Sequence, residues 1–179
     1  AKKNKPIILY NPKKGLEYTQ RILEHCKNDN LQFIPLEGFT RSEMIKILKK
    51  SFLYIDFGDH PGKDRIPREA AVFNNIIITG TNGSSGNFVD LPISKKFKFE
   101  EFNLFEIRQV ILQSFYEYTD VNKEFDYYRK VIQTQEMEFT LQTVRLFCEK
   151  YNPQKKGIVF NLHKYLNDKI ELNKNRVKR

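Results

Sequence analysis

Residues 52–87 read FLYIDFGDHPGKDRIPREAAVFNNIIITGTNGSSGN, and the fold turns on how they are read. Two short apolar runs, Phe52-Leu53-Tyr54-Ile55 and Ile76-Ile77-Ile78, each lead into a polar turn that carries glycine, and a helical segment from about Ile66 to Phe73 lies between them. An unbroken apolar run of this length, without alternation, marks a strand buried on both faces. Strand, helix and strand in that order predict a right-handed crossover and a parallel pair. In open parallel sheets ligands settle in the crevice at the carboxyl ends of the strands, so the two polar turns are where a site is expected.

The same alternation precedes this stretch. Pro6-Ile7-Ile8-Leu9-Tyr10 reads as a buried strand closed by Asn11-Pro12, and Leu16, Thr19, Ile22, Leu23 and Cys26 then recur at the spacing of one helical face. Leu31 to Leu36 is a second strand, with Pro35 marking an edge or an end. Thr40-Arg41-Ser42-Glu43 is a capping-box pattern, continued as a helix by Met44, Ile45, Ile47 and Leu48. The predicted fold class is α/β, a Rossmann-like parallel sheet with helices on both faces and further helices C-terminal to it. Gly80 to Lys98 reads as a long functional loop with a short extended piece near Phe97, and the pattern from Asn103 to Tyr151 is helical with a break near Thr119 to Asn122. The expected organisation is a Rossmann-like domain over residues 1–115, a helical extension of it over 116–151 and a basic tail over 152–179, in which Ile158-Val159-Phe160 is too short to assign.

Composition bounds the partners. The chain has 179 residues, 40% of them hydrophobic, and a formal net charge of +9. That excess favours anionic partners: phosphates, nucleic acid or an acidic membrane surface. Cys26 and Cys148 stand alone in helical patterns without a second cysteine or histidine at zinc spacing, so both are expected reduced and buried, and the sequence predicts neither metal nor cofactor. No apolar run approaches the ~20 residues of a membrane span and no signal-peptide pattern is seen, which predicts a cytoplasmic location, with peripheral contact at the inner face of the membrane open to so basic a chain.

Several motifs fail on context. Asp56-Phe57-Gly58 spells the magnesium triplet of protein kinases without the catalytic loop that should precede it, and Gly80 to Gly86 lacks the Gly-Lys-Ser/Thr of a P-loop. No dinucleotide fingerprint follows the first strand. What remains sits at the predicted strand ends. Lys13 and Lys14, at the mouth of a helix, are placed to meet phosphate oxygens or are solvated surface lysines. His60 either hydrogen-bonds a ligand or serves as a general base, the catalytic role expected here, or braces its loop. Asp59 and Asp64 read as caps for the next helix. Glu69 either turns its carboxylate into the strand-end crevice, where it can accept both hydroxyls of a ribose, or pairs with Arg65 or Arg68. Gly83, Ser84, Ser85, Gly86 and Asn87 offer backbone amides and short hydroxyls, the material of an anion nest or of an ordinary flexible loop, with Lys63, Arg65 and Arg68 adding fixed positive charge.

Together these residues resemble a family. Tyr10-Asn11-Pro12-Lys13-Lys14-Gly15, Pro67-Arg68-Glu69-Ala70-Ala71 with Asn74-Asn75, the strand Ile76 to Gly80 and a Gly-rich loop reaching Asp90 are similar to the C-terminal, nucleotide-sugar-binding domain of GT-B glycosyltransferases of the group 1 type, over roughly residues 5–112. The resemblance implies a hexosyltransferase-type activity on a nucleoside-diphosphate sugar, with Lys13 or Lys14 on the diphosphate, Glu69 on the ribose and the amides of Gly83 to Asn87 on phosphate or sugar. It also implies a missing acceptor-binding domain or partner chain, an unknown acceptor and an isolated chain that is inactive. The pattern departs from the family where Pro61 replaces the first of two glutamates that many retaining members carry, so Asp59 to Arg65 has no assigned role. The competing reading is a non-enzymatic basic α/β module that docks on nucleic acid or an anionic membrane.

Overall fold

In a computed structural model, which describes Lys3, residues 5–100, residues 103–144 and Leu146, the predicted alternation folds as one parallel sheet. The strands are β1 (Ile7–Tyr10), β2 (Gln32–Pro35), β3 (Leu53–Asp56), β4 (Ile76–Gly80) and β5 (Lys98–Phe99). Between and after them come the helices α1 (Leu16–His25), α2 (Arg41–Lys50), α3 (Arg65–Val72), α4 (Leu104–Tyr116), α5 (Tyr118–Lys123) and α6 (Asp126–Val144). All pairings are parallel, in the order β2-β1-β3-β4-β5. The chain runs outward from β1 to β2, then crosses back to β3 and on to β5, so the winding direction reverses between β1 and β3. A doubly wound sheet of this order places its ligand crevice at that reversal.

The central strands are sealed from water. Ile8, Leu9, Phe52, Leu53, Tyr54, Ile55, Ile76, Ile77 and Ile78 are all fully buried, as expected where helices cover both faces. Each such aliphatic side chain contributes about 1.5–3 kcal/mol relative to exposure. Pro35 ends β2 on the outer edge, where its missing N–H costs no ladder bond. The capping box forms as read: Thr40 Oγ1 accepts the Glu43 amide at 3.3 Å and the Glu43 carboxylate accepts the Thr40 amide at 2.9 Å. Those bonds from Thr40 hold the Glu43 carboxyl below its ordinary value.

Three details differ from the sequence reading. In α1 Leu16 is exposed and Tyr18 takes its place inside, its ring edge-on to Phe57 at 4.7 Å and its hydroxyl donating to the Glu100 carbonyl at 3.2 Å. The extended piece near Phe97 is a fifth strand, joined to β4 through Gly80 and Phe99. The break expected at Thr119 to Asn122 is instead helical: α5 spans it, with the interruptions at Glu117 and at Glu124-Phe125. Tyr118, Val121 and Phe125 are buried at helical spacing, and the Tyr118 hydroxyl and Asn122 amide both donate to the Asn74 carbonyl, at 2.6 and 2.9 Å. Packing outweighs the turn-forming character of Thr-Asp and Asn there.

Two compact units divide the chain, one through Ile132 and one from Gln133 onward. The first holds the sheet, α1 to α5 and the opening of α6; in the second, α6 runs on to Val144. Cys26 is buried as a free thiol, which burial pushes up to about 11; Cys148, Ile158-Val159-Phe160 and the basic tail lie outside the described residues.

Candidate functional site at the carboxyl edge of the sheet

The loops after β1 and β3 interlock at the reversal point. Asn11 folds back so that its side-chain oxygen accepts the Lys13 amide at 3.0 Å, and Gly15 follows in the left-handed region at φ 58°. Gly15 lies flat on the next loop: a Cβ there would stand 2.5 Å from the Phe57 carbonyl carbon and oxygen. Gly58 returns the contact, since its Cβ would stand 2.2 Å from Lys14 Cβ. Glycine at both positions lets two backbones meet where most doubly wound sheets leave a crevice.

Beneath this contact runs a buried chain of polar side chains. Asp56, the last residue of β3, is 1% exposed and accepts the Tyr54 hydroxyl at 2.7 Å and the Gly58 amide at 3.1 Å. His60 is 3% exposed, with Nε2 3.4 Å from Asp56 Oδ1 and Nδ1 3.2 Å from Asp64 Oδ2. Lys14 Nζ reaches the same Asp64 oxygen at 2.6 Å. Burial drives the Asp56 carboxyl upward, but the His60 ring, the Tyr54 hydroxyl and the Gly58 amide outweigh it, and the net shift is below the ordinary carboxylate value. Burial and then the Asp56 charge push Tyr54 well above its own.

His60 is also fixed through its backbone. Its amide donates to the Asn82 carbonyl at 3.4 Å and its carbonyl accepts the Ser84 amide at 2.7 Å, a parallel bridge that extends the β3–β4 pairing past both strands. Gly83 makes this possible at φ 68°, because a Cβ would lie 2.3 Å from the His60 oxygen. Enclosed in this way, His60 braces two loops and presents neither ring nitrogen to an arriving substrate; the general-base role expected of it does not fit its burial. Asp64 stands at the N-cap position of α3, yet its carboxylate turns to Lys14 and His60 and makes no capping bond.

The glycine-rich loop is likewise self-satisfied. The amides of Ser84, Gly86 and Asn87 bond to His60, Gly83 and Ser84 carbonyls; Ser84 Oγ donates to the Gly62 carbonyl at 2.6 Å and Ser85 Oγ to the Asn82 carbonyl at 2.8 Å. Asn87 is tied to Asp90 through both its side-chain atoms. The anion nest expected over Gly83 to Asn87 is therefore replaced by a braced 3₁₀ turn over Ser84–Gly86, because these donors already have acceptors within the protein. The space enclosed under it, bounded by His60, Asp64, Pro67, Ser85 and Tyr128, is about 10 Å³, enough for one water.

Glu69 lies elsewhere on the same edge. It is the fifth residue of α3, not the first turn, and its carboxylate meets Arg41 at 2.6 Å and Arg65 at 3.6 Å. Of the alternatives read from sequence, the arginine pair is the one formed, with Arg41 as an added partner. Arg41, Arg65, Arg68 and Glu69 line an open cavity of about 270 Å³ together with the apolar Val72, Phe73 and Ile132. Lys13 is exposed beside Lys14. The structure thus separates the predicted residues into a closed group of Lys14, His60 and the 83–87 loop and an open group of Glu69, Arg65 and Arg68.

Sequence reasoning passed over Asp56, Tyr54 and Arg41. Asp56-x3-His60-x3-Asp64 was the available signal, a four-residue spacing that looks helical yet spans a strand end and a loop. Thr79, the register partner of Asp56 on β4, was also missed; it is fully buried, and neither its Oγ1 nor His60 Nε2 has a hydrogen-bond partner among the described residues. No helix among the described residues is long and apolar enough to cross a membrane. No protein-family model matches this chain, and no curated protein matches it.

Proposed function

We propose that this chain is a donor-binding domain of a glycosyltransferase, holding a nucleoside-diphosphate sugar along the carboxyl edge of its sheet for transfer to an acceptor bound by a further domain or partner chain. The observation that carries the reading is the open cavity that runs along α3 from the start of α2, where Glu69 stands among Arg41, Arg65 and Arg68. A carboxylate accepts the two hydroxyls of a ribose, and the surrounding guanidiniums orient it. Arg65, Arg68 and the exposed Lys13 supply positive charge for the diphosphate, which is the leaving group. Lys14, engaged with Asp64, sets the shape of the first loop. Rate enhancement in such a site is orientational and electrostatic.

The test is calorimetry with a panel of nucleoside diphosphates and their sugars on the full chain. Glu69→Gln is expected to weaken the best ligand about tenfold, the loss of one charge-assisted hydrogen bond, and Lys13→Ala to weaken the diphosphate forms more than the nucleoside. Affinity unchanged in both variants rejects the reading. So does a chain that ignores the whole panel while binding polyanions with a steep salt dependence, the behaviour of a basic docking module.

A further inference from the structure

The two oxygens of Glu69 are held unequally. Oε2 accepts from Arg41 Nη1 at 2.6 Å, a full hydrogen bond, while Oε1 meets Arg65 Nε at 3.6 Å, an ion pair too long to be one. A ribose diol on a carboxylate places one hydroxyl on each oxygen. In the unliganded chain one oxygen is therefore open to that contact and the other is closed by Arg41. The closing partner is also the one able to turn. The Glu69 side chain is 19% exposed and is followed on α3 by the fully buried Ala70 and Ala71, whereas Arg41 is 58% exposed and is the first residue of α2. Nothing in the helix asks for a cation there: Thr40 and Glu43 already cap α2, and positive charge in a first turn opposes the helix dipole. What Arg41 faces accounts for it, since it lines the same cavity as Arg65 and Arg68.

We propose that Arg41 exchanges partners when a nucleoside diphosphate enters: it holds Glu69 in the unliganded chain, releases that carboxylate to the ribose and passes to the phosphate oxygens. The inference rests on the donor-binding reading and adds to it a residue that senses phosphorylation. A guanidinium presents five N–H donors in a planar fork that meets two phosphate oxygens at once, so a diphosphate replaces the carboxylate contact that Arg41 gives up and adds a second bond. A nucleoside without phosphate replaces nothing. It takes Glu69 and leaves Arg41 in water, at the loss of an exposed ion pair worth up to about fivefold in an equilibrium. One contact thus penalises the ligand that lacks phosphate and is offset by the ligand that carries it, which makes Arg41 a selector of phosphorylated nucleosides as well as a tie between α2 and α3.

The experiment is calorimetry on the full chain with adenosine, guanosine, cytidine and uridine and with their 5′-diphosphates, in the natural chain, Arg41→Ala and Arg41→Lys, with far-UV circular dichroism to check the fold of each. In Arg41→Ala the nucleoside is expected to bind up to about fivefold more tightly, because its carboxylate is uncovered, and the matching diphosphate more weakly, so that the preference for diphosphate over nucleoside falls about tenfold or more. Arg41→Lys, which keeps the charge without the fork, is expected to lose part of that preference. Arg41 is an exposed side chain, so its variants are expected to fold. Weakening of both ligands by the same factor would reduce Arg41 to a tie between two helices, and it overturns the inference while the donor-binding reading stands. Tightening of both, or no change in either, does the same. A natural chain that binds no member of the panel overturns the donor-binding reading and this inference with it.

Discussion

At the scale of single residues, two glycines with nearly the same backbone have different reasons to be glycine. Gly15 and Gly38 both sit in the left-handed region, at φ 58° and 73°, but a Cβ on Gly38 meets nothing within 4 Å while one on Gly15 strikes the Phe57 carbonyl. Gly38→Ala is expected to cost only the conformational penalty, about 1–2 kcal/mol. Gly15→Ala adds a steric term against backbone that cannot move without separating the two loops, for a total of about 3 kcal/mol or more. Chemical denaturation of the two variants measures the difference; equal losses would show that the loops yield freely. The same contact explains why Lys14 is less available to a ligand than its place after β1 implies.

At the scale of elements, the segment before β1 caps two helices at once. Lys3 Nζ donates to the Leu48 carbonyl at 2.9 Å near the end of α2 and to the Phe73 carbonyl at 2.6 Å at the end of α3. Burial, with a smaller contribution from Arg129, lowers its pKa to about 7 from 10.5. Between those values the unfolded chain binds more protons at this position than the folded one, so Lys3 makes stability rise with pH across that window, and the gain is lost as pH falls through about 7. Comparing thermal unfolding of the natural chain and Lys3→Met from pH 6 to 10 checks this: the difference is expected to move in favour of the natural chain as pH rises. The elements themselves were legible wherever local chemistry agrees with burial. Apolar runs gave β1, β3 and β4, and Thr40 with Glu43 gave the start of α2. β5 was legible only as a short extended piece near Phe97, since two residues paired with Thr79 and Gly80 leave little local signal, and α5 was read as a break because it is held by the distant Asn74 carbonyl.

At the scale of the molecule, the order of strands brings the loops after β1 and β3 and the first residues of α2 and α3 to one edge, yet their charged side chains divide into two sites, Lys14 with His60 and Asp64 and Arg41 with Arg65 and Glu69. The sequence made one crevice of them because strand ends of a doubly wound sheet normally share one. Which loop donors remain free is a tertiary fact: Ser84, Ser85 and Asn87 look like ligand-binding residues until their partners at Gly62, Asn82 and Asp90 are seen. Asp56 was hidden for the opposite reason, since a carboxylate closing an apolar strand reads as an ordinary turn residue until His60 and Asp64 are folded over it.

The bridge between His60 and Gly83 acts on time as well as on space. The Ser84 amide, held at 2.7 Å to the His60 carbonyl, lies in a loop, where amides usually exchange with solvent in moments. Here it opens only if the clasp between the β3 and β4 loops opens, so its deuterium uptake is expected to lag with that of the Ile76–Gly80 strand, while Val89, exposed further along the same loop, labels at once. Ser84 labelling as fast as Val89 would mean that the clasp breathes freely. If it lags instead, the amide of Ser84 is a clock for every event that requires this edge of the protein to part.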